Sequence, residues 1–525
     1  MSTLTAVARE TSYLQITPLS ASSLARLPPF GPIILILTYF GFILGLEFTN
    51  NDYAGAQHYQ ALGVRAGWLA VAQIPLLVLL AGKVNIVGLL TGVSYERLNV
   101  YHRWIARGLL MLASMHFGFQ SHGWNLYGLM QLEWGTDTCP PTGIAAYAIV
   151  LWMNLTTLAP FRKMSYKLFV IQHIITFMGL IIAIMEHLPS TALYSRVYIW
   201  IPIGFYFFDR AVRTLLYLWS NLSPAQATLE ALDGAAVKVR FSGRRIPKWG
   251  PGAHVRLRFP KFGFWHTHPA RILSTPSSHG GDLVFIMRVR GWFTQQLLKH
   301  AEASSTSAAV PTSTVLVGGP YYSSHNDFAA FNTAVLIAGG SGVAFTLSIL
   351  IDLALRAARQ KLPLQTVKFA WVIRHTHWVS WVADELRTAF NALHDAGVDV
   401  TIQIFVTDEC LSEKSDLALM PAVIDGSVAD KSSASIRELS LSNGTGSNFA
   451  LLPTAEYHAG RPDIARLLLA SIEAAGGESA VGVCGPLALT TDVRAAVVRI
   501  SDDRAVHKGT GAQGIYLHVS NTDYS

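Results

Sequence analysis

Four histidines are the residues whose types and spacing best suit chemistry. His102 and His116 bracket one apolar run and His173 and His187 bracket a second, with a separation of 14 residues both times. At about 100° per residue, such a step returns to within roughly 40° of its starting direction, so both histidines of a helix share one face. A rise of about 1.5 Å per residue sets them roughly 21 Å apart, near opposite edges of a hydrocarbon layer about 30 Å thick. Neutral imidazoles facing each other across a gap between helices are the axial ligands that a six-coordinate b-type haem needs. Parallel helices would pair His102 with His173 and His116 with His187, giving two haems at different depths. One histidine at a helix end commonly bonds a carbonyl or water. Four at a doubled spacing, in segments where ionisable groups are usually functional, point to haem.

The elements that must hold these residues are membrane helices. Of the 525 residues 51% are hydrophobic and only 14% charged, the balance of a membrane part joined to a soluble part. The net charge of +7 is modest and fits basic cytoplasmic loops better than nucleic-acid binding. Cys139, Cys410 and Cys484 form neither a disulfide framework nor a metal-site spacing, which puts the soluble part in a reducing compartment. Residues 1–29 read as a polar cytoplasmic tail, and the run from Ile33 to Leu46 as a retained span rather than a signal peptide. Further spans are expected at about 64–82, 100–118, 142–159, 168–186 and 197–217. The histidine helices are then third and fifth, and therefore parallel.

Basic residues set the orientation. Lys83, Arg97, Arg103, Arg107, Arg162, Lys163, Lys167, Arg210 and Arg213 flank one side, whereas the opposite loops carry only Arg65 and Arg196. By the excess of positive charge on the inner side, both termini and the C-terminal half are cytoplasmic. His102 and His173 become the inner pair and His116 and His187 the outer one. A loop at about 119–141, with Glu133 and Asp137, faces outward.

After Leu218 the pattern becomes that of short strands. Ala236–Ser242, Gly252–Pro260, Leu283–Trp292 and Ser313–Tyr321 alternate with a period of two and predict a small antiparallel barrel. From Thr333, strands alternate with helices. A buried strand enters Gly339-Gly340-Ser341-Gly342 and then a helix, a phosphate site made by converging backbone N–H groups. Strands at 367–373, 398–406 and 479–485 and a final one at 514–520 complete a Rossmann-like α/β domain. Residues 411–457, rich in Ser, Asn and Gly, read as an insertion without chemistry.

In these motifs and their order the chain resembles the fungal ferric reductases, which share their architecture with the NADPH oxidases. The resemblance runs from about Gly31 to His518. It implies a multidomain membrane protein: a helical transmembrane bundle of about six spans (30–220), a ferredoxin-reductase-like β-barrel FAD domain (221–328) and an α/β Rossmann-like NADPH domain (329–525). FAD binding is implied for Pro251, Gly252, Ala253 and His254, for His268, Pro269, Ala270 and Arg271, and for Arg288, Gly291-Trp292 and Gly319-Pro320-Tyr321. NADPH binding is implied for Gly339, Gly340, Ser341 and Gly342, for Trp371 to Arg374, for Gly460, Arg461, Pro462 and Asp463, and for Cys484, Gly485 and Pro486. Arg288 could neutralise the FAD pyrophosphate and Arg461 pair with the 2′-phosphate of NADPH. Cys484 would face the nicotinamide.

Two departures stand out. Arg271 occupies a place where relatives have a Thr or Ser whose hydroxyl reaches the flavin, and a guanidinium cannot accept a hydrogen bond. Ser274 is the nearest hydroxyl that could stand in for it in catalysis. The chain also ends in Asn521-Thr-Asp-Tyr-Ser525, where Tyr524 would be the ring that stacks on flavin.

The activity implied is a plasma-membrane reductase that uses NADPH, FAD and two haem b groups to reduce Fe3+ chelates, and Cu2+, outside, beside iron-uptake partner proteins and with no nucleic acid. Glu133 and Asp137 could attract the metal complex, although solvated loop charge is the simpler reading. The rivals are a superoxide-forming NADPH oxidase and a non-catalytic membrane sensor.

Overall fold

The computed structural model describes residues 2–15, 28–243, 245–246, 248–263, 266–305, 311–321, 325–408, 452–473, 477–503 and 514–521. Two compact units emerge, one of residues 14–216 and one of residues 1–13 with 217–525.

The first unit is helical. Its long helices are α1 (Phe30–Phe48), α2 (Ala56–Ala81), α3 (Tyr95–Leu126), α4 (Cys139–Thr156), α5 (Tyr166–His187) and α6 (Val197–Ser220). Local chemistry sets their ends: Pro29 precedes α1, Gly82 follows α2, and the Ser165 hydroxyl accepts from the Leu168 N–H to start α5. Along its length α2 packs on α3, and α4 on α5. Ile43, Ile74, Leu112, Leu180, Ile184 and Ile199 form the shared apolar core. Buried Asp209 of α6 accepts from the backbone N–H groups of Lys83 and Val84, at 3.0 and 2.9 Å, and so ties down the end of α2.

Helices thus occupy the expected span positions, but of these six only α1, α2 and α5 are long and apolar enough to cross a membrane. Arg103 and Arg107, with polar residues such as His116, Gln120 and His122, interrupt the apolar run of α3. A fourth helix, Gly340–Ala357, is also long and apolar enough yet is 72% buried, against 17–22% for the other three, because it fills the core of the α/β domain. The expected outer loop at 119–141 is also more regular: α3 continues to Leu126 and Met130–Thr136 forms a further short helix.

In the second unit six antiparallel strands come first. They are β1 (Ala225–Leu232), β2 (Ala236–Ser242), β3 (His254–Arg258), β4 (His268–Arg271), β5 (Asp282–Arg288) and β6 (Thr312–Tyr321), in the order β4-β3-β6-β1-β2-β5. Val237, Val239, Val255, Leu257, Phe285 and Val315 alternate inward, and α7 (Trp292–Ser305) adds Phe293 and Leu297 to that core.

Six parallel strands follow: β7 (Thr333–Gly339), β8 (Thr366–Ile373), β9 (Asp399–Val406), β10 (Ala455–Ala459), β11 (Ser479–Gly485) and β12 (Ile515–Asn521). Their order is β10-β9-β8-β7-β11-β12. Helices α8 (Val343–Ala357) and α9 (Ala383–Asp395) cover one face, and α10 (Ile464–Glu473) and α11 (Leu487–Asp503) the other. With both faces covered, β7 and β11 are buried at every residue, which is why they read as unbroken apolar runs.

Edge strand β10 corrects the proposed limits of the insertion, which ran to 457. Alternation is weak there, and pairing with β9 decides the fold. Residues 409–451 lie outside the described residues, as do Cys410 and Tyr524. The N-terminal tail also holds a helix, Ser2–Tyr13, that belongs to the second unit. Its Tyr13 hydroxyl accepts from the Leu517 N–H of edge strand β12 at 3.0 Å.

Candidate redox site

The histidines of α3 and α5 face one another in two pairs. Ring centres are 6.5 Å apart for His102 and His173 and 5.9 Å for His116 and His187, with interplanar angles of 69° and 78°. A metal–imidazole bond of about 2 Å, with the ring centre about 1 Å behind the nitrogen, separates two trans imidazole centres by about 6 Å. Both pairs fit a haem iron.

Neighbouring helices orient the rings. Nδ1–H of His102 donates to the Leu77 carbonyl (2.8 Å), that of His116 to Gly63 (2.6 Å) and that of His187 to Cys139 (2.8 Å). A carbonyl can only accept, so each bond fixes the tautomer and leaves Nε2 bare for a metal. His173 differs: its Nδ1 has no partner among the described residues, and its ring lies 5.4 Å from Phe169.

Two glycines let the outer pair sit close. A Cβ on Gly67 would come within 2.8 Å of His116 Nδ1, and one on Gly143 within 2.6 Å of His187 Cε1. Gly67, Gly143 and the Cys139 carbonyl were not singled out in the sequence, because each acts through backbone or absent atoms. Cys139 is held in turn by Asp137, whose carboxylate accepts from its N–H at 2.9 Å. No cluster of three His, Cys, Asp or Glu side chains suited to a bare metal ion occurs among the described residues.

In the second unit the site lies at the carboxyl ends of β7 and β11, where the strand order reverses and α/β sheets open a crevice. Gly340 adopts φ +56°, and the Trp371 indole N–H donates to its carbonyl at 2.9 Å. A Cβ on Gly342 would meet the Cys484 carbonyl at 2.2 Å, so only glycine allows the turn to rest on β11. Cys484 is fully buried, and burial pushes its thiol pKa up against the opposing charge of Arg271. It is therefore a neutral S–H near pH 7.

Guanidinium groups crowd this turn. Arg288 stacks over the Trp378 ring at 4.4 Å, and Arg290 reaches Ser341 Oγ at 3.4 Å. Burial, with the nearby charges of Arg290 and Arg374, holds Arg288 below the usual arginine range. Such a cluster suits phosphate. Arg288, assigned from sequence to the flavin pyrophosphate, thus stands beside the glycine turn. Arg374 and Arg461 follow β8 and β10 at the same carboxyl edge; both are exposed, with Arg374 3.9 Å from Asp408. Pro462 and Asp463 lead from Arg461 into α10, and Gly485 and Pro486 close the turn after Cys484.

The barrel motifs converge on β3 and β4. Gly252 has φ +75°, and its N–H donates to Ser348 Oγ of α8 at 2.7 Å, joining Pro251-Gly252 to the α/β domain. His254 is buried against Tyr321 (5.3 Å between ring centres), and His268 stacks on Phe293 at 3.5 Å. Pro269 and Ala270 pair with Arg256 and Val255. This set of aromatic faces and cations fits an anionic, planar dinucleotide such as FAD. Ser274 does not share in it: its hydroxyl donates to the Asp282 carbonyl at 2.7 Å and accepts from the Val284 N–H at 3.1 Å, closing the connection to β5.

Residues 66–184 match the family described as ferric reductase like transmembrane component, 222–325 an FAD-binding domain and 331–498 the ferric reductase NAD binding domain. The chain belongs to the ferric reductase family. A probable cell surface ferric reductase of Aspergillus oryzae is 31% identical over 377 residues, 67% of this chain and 48% of that protein. Ferric/cupric reductase transmembrane component 7 of Saccharomyces cerevisiae is 26% identical over 359 residues, covering 66% of this chain and 56% of the relative. For component 1 of Candida albicans the figures are 25% over 467 residues, 86% and 57%. The chain spans about half the length of these ferric reductases. It carries a membrane component followed by FAD and NAD domains, in the order expected from the motifs.

Proposed function

We propose that the chain is a transmembrane ferric-chelate reductase that draws on cytosolic NADPH and reduces Fe3+ complexes, and Cu2+, on the outer side of the plasma membrane. The two facing histidine pairs carry this reading, since paired imidazoles at two depths have no use in a soluble flavin reductase. The domain limits remain those of the motifs: a bis-haem membrane domain at 30–220 crossing in six spans, a flavin domain at 221–328 and a nucleotide domain at 329–525.

His102 with His173 would hold the inner haem and His116 with His187 the outer one. His254, Arg271 and the β3–β4 motifs would hold FAD. When bound, the flavin supplies the exchange of a two-electron hydride for single electrons, and the haems supply one-electron carriers. The protein's part is placement. The glycine turn and Arg288, Arg290 and Arg374 bind the NADPH phosphates, Arg461 selects the 2′-phosphate, and Cys484 packs beside the nicotinamide as a neutral thiol. Outer-face Glu133 and Asp137 add negative charge where the metal complex arrives. Reduction of the metal needs no protein acid or base.

An anaerobic visible spectrum of the purified protein, taken before and after NADPH and again after ferric citrate, tests the whole reading. Reduced b-type bands should appear with NADPH and vanish with iron. Bands that dithionite but not NADPH produces would overturn the nucleotide half. Oxygen consumption on NADPH that is indifferent to iron would make the chain an oxidase instead.

A further inference from the structure

Arg271 ends strand β4 opposite His254 of β3, yet its side chain leaves the barrel. It is 6% exposed, and its guanidinium carbon lies 5.3 Å from the ring centre of Phe345, in the first turn of α8 behind the glycine turn. The same charge acts on the thiol of Cys484 at the end of β11. One cation of the flavin domain is thus enclosed by the two segments of the nucleotide domain that line the crevice at the strand-order reversal. A guanidinium keeps its charge at any working pH, and burying one is costly unless its surroundings use it. Arg271 thus stands between the β3–β4 strands and the crevice of the nucleotide domain.

We propose that Arg271 is the charge that tunes the flavin at the junction where hydride is exchanged. The inference rests on the reductase reading above and adds a role for this residue. A hydride leaves the C4–H bond of NADPH with both bonding electrons and forms an N–H bond on the flavin, giving NADP+. The ring thereby gains negative charge unless a further proton follows. Arg271 stabilises that charge electrostatically and offers N–H donors to the ring edge, where a hydroxyl would offer a weaker neutral bond. Cys484 beside it is a neutral thiol and brings no counter-charge of its own.

Sulfite provides a test that needs neither NADPH nor iron. It adds its lone pair to an oxidised flavin and leaves an anionic adduct, so its affinity reads the positive charge near the ring. With the full-length protein loaded with FAD, sulfite is titrated by difference spectroscopy and the flavin midpoint potential is measured in parallel. Arg271→Thr should weaken sulfite binding at least about tenfold and lower the two-electron potential by about 30 mV or more, the equivalent of tenfold for that couple. Arg271→Lys should restore most of both. Arg271→Gln, which keeps bulk and a donor without the charge, should behave like Arg271→Thr and serves if the threonine variant loses flavin. Wild-type sulfite affinity and potential in Arg271→Gln would overturn this inference while leaving the reductase reading intact. A wild-type chain that takes up no FAD would overturn both.

Discussion

In the membrane unit the four chemistry-bearing side chains come from α3 and α5 at one repeated interval, whereas the nucleotide crevice gathers Arg271, Arg288, Phe345, Arg374 and Cys484 from five separate segments. The first plan puts function along an element and lets neighbouring backbone orient it: Leu77, Gly63 and Cys139 each supply a carbonyl. The second puts function across elements, where a strand order and a glycine turn bring distant residues together. Sites of the first kind should fail locally, one histidine pair at a time. Sites of the second kind should fail together when the turn is disturbed.

The largest effect is expected from His187→Ala, which removes one of the two proposed outer haem ligands. About half of the b-type haem absorbance should be lost, one pair of two, and NADPH-driven iron reduction should fall to background while flavin reduction by NADPH continues. Loss of both haems together would show that the pairs are not independent and would break the contrast.

Gly342→Ala comes next. Its Cβ would lie 2.2 Å from the Cys484 carbonyl, a backbone atom that cannot step aside. A cost of about 3 kcal/mol or more is expected, as for severe overpacking, with the turn, Cys484 and the arginine cluster displaced at once. Stopped-flow reduction of the flavin by NADPH should slow by at least about a hundredfold, since 1.4 kcal/mol is tenfold, while dithionite still reduces the haems normally. Gly143→Ala is the matching change in the membrane unit. Its Cβ would press on a side-chain ring at 2.6 Å rather than on backbone, and the ring can tilt. The cost falls to about 1–3 kcal/mol. Low-temperature electron paramagnetic resonance should show one of the two low-spin haem signals shifted or weakened and the other unchanged.

How much of this could be read from the chain follows the same division. A 14-residue repeat is visible in one dimension, so the histidine pairs and their partners could be written down before any fold existed. The unbroken apolar runs of β7 and β11 and the glycine turn between β7 and α8 were legible for the same reason. Gly67 and Gly143 were not, because what matters there is the absence of a Cβ beside a ring more than 40 residues away in the chain. Strand β10 was hidden because partners rather than pattern make an edge strand. Ser274 misled because a serine three positions beyond β4 is close along the chain, yet its hydroxyl already serves Asp282 and Val284. Nor does any local pattern say that Arg271 crosses to Phe345.

A milder effect is expected at Arg461, exposed at the carboxyl edge beside β10. Losing a charge-assisted bond to phosphate is worth about 1.5–3 kcal/mol. Arg461→Ala should therefore raise KM for NADPH roughly tenfold to a hundredfold and leave KM for NADH nearly unchanged. Equal effects on the two nucleotides would move the 2′-phosphate site to Arg374 or Arg290, inside the cluster at the glycine turn.

The smallest effect on turnover, and the one that isolates how the crevice is kept closed, is expected at Glu385. This α9 carboxylate joins barrel to α/β domain, 2.9 Å from Lys238 of β2 and 3.4 Å from His279. Burial pushes its pKa up, but the hydrogen bonds and charge of His279 and Lys238 prevail and bring it down from 4.5 to about 2. A carboxyl depressed on folding contributes stability that is fully present above its unfolded pKa and is lost as pH falls through the folded one. The Glu385 contribution, roughly 3 kcal/mol at most, should be constant from neutral pH to about 4.5 and disappear toward about 2. In thermal unfolding followed by flavin fluorescence, Glu385→Gln should release flavin at a lower temperature than wild type at pH 7, with the gap closing as the pH drops below 4.5. A gap that persists unchanged into acid would mean that the link is one of shape rather than charge. The contrast between a locally held membrane site and a jointly held crevice would then rest on packing at Trp381, whose indole N–H donates to the Asp233 carbonyl at 2.9 Å across the same seam.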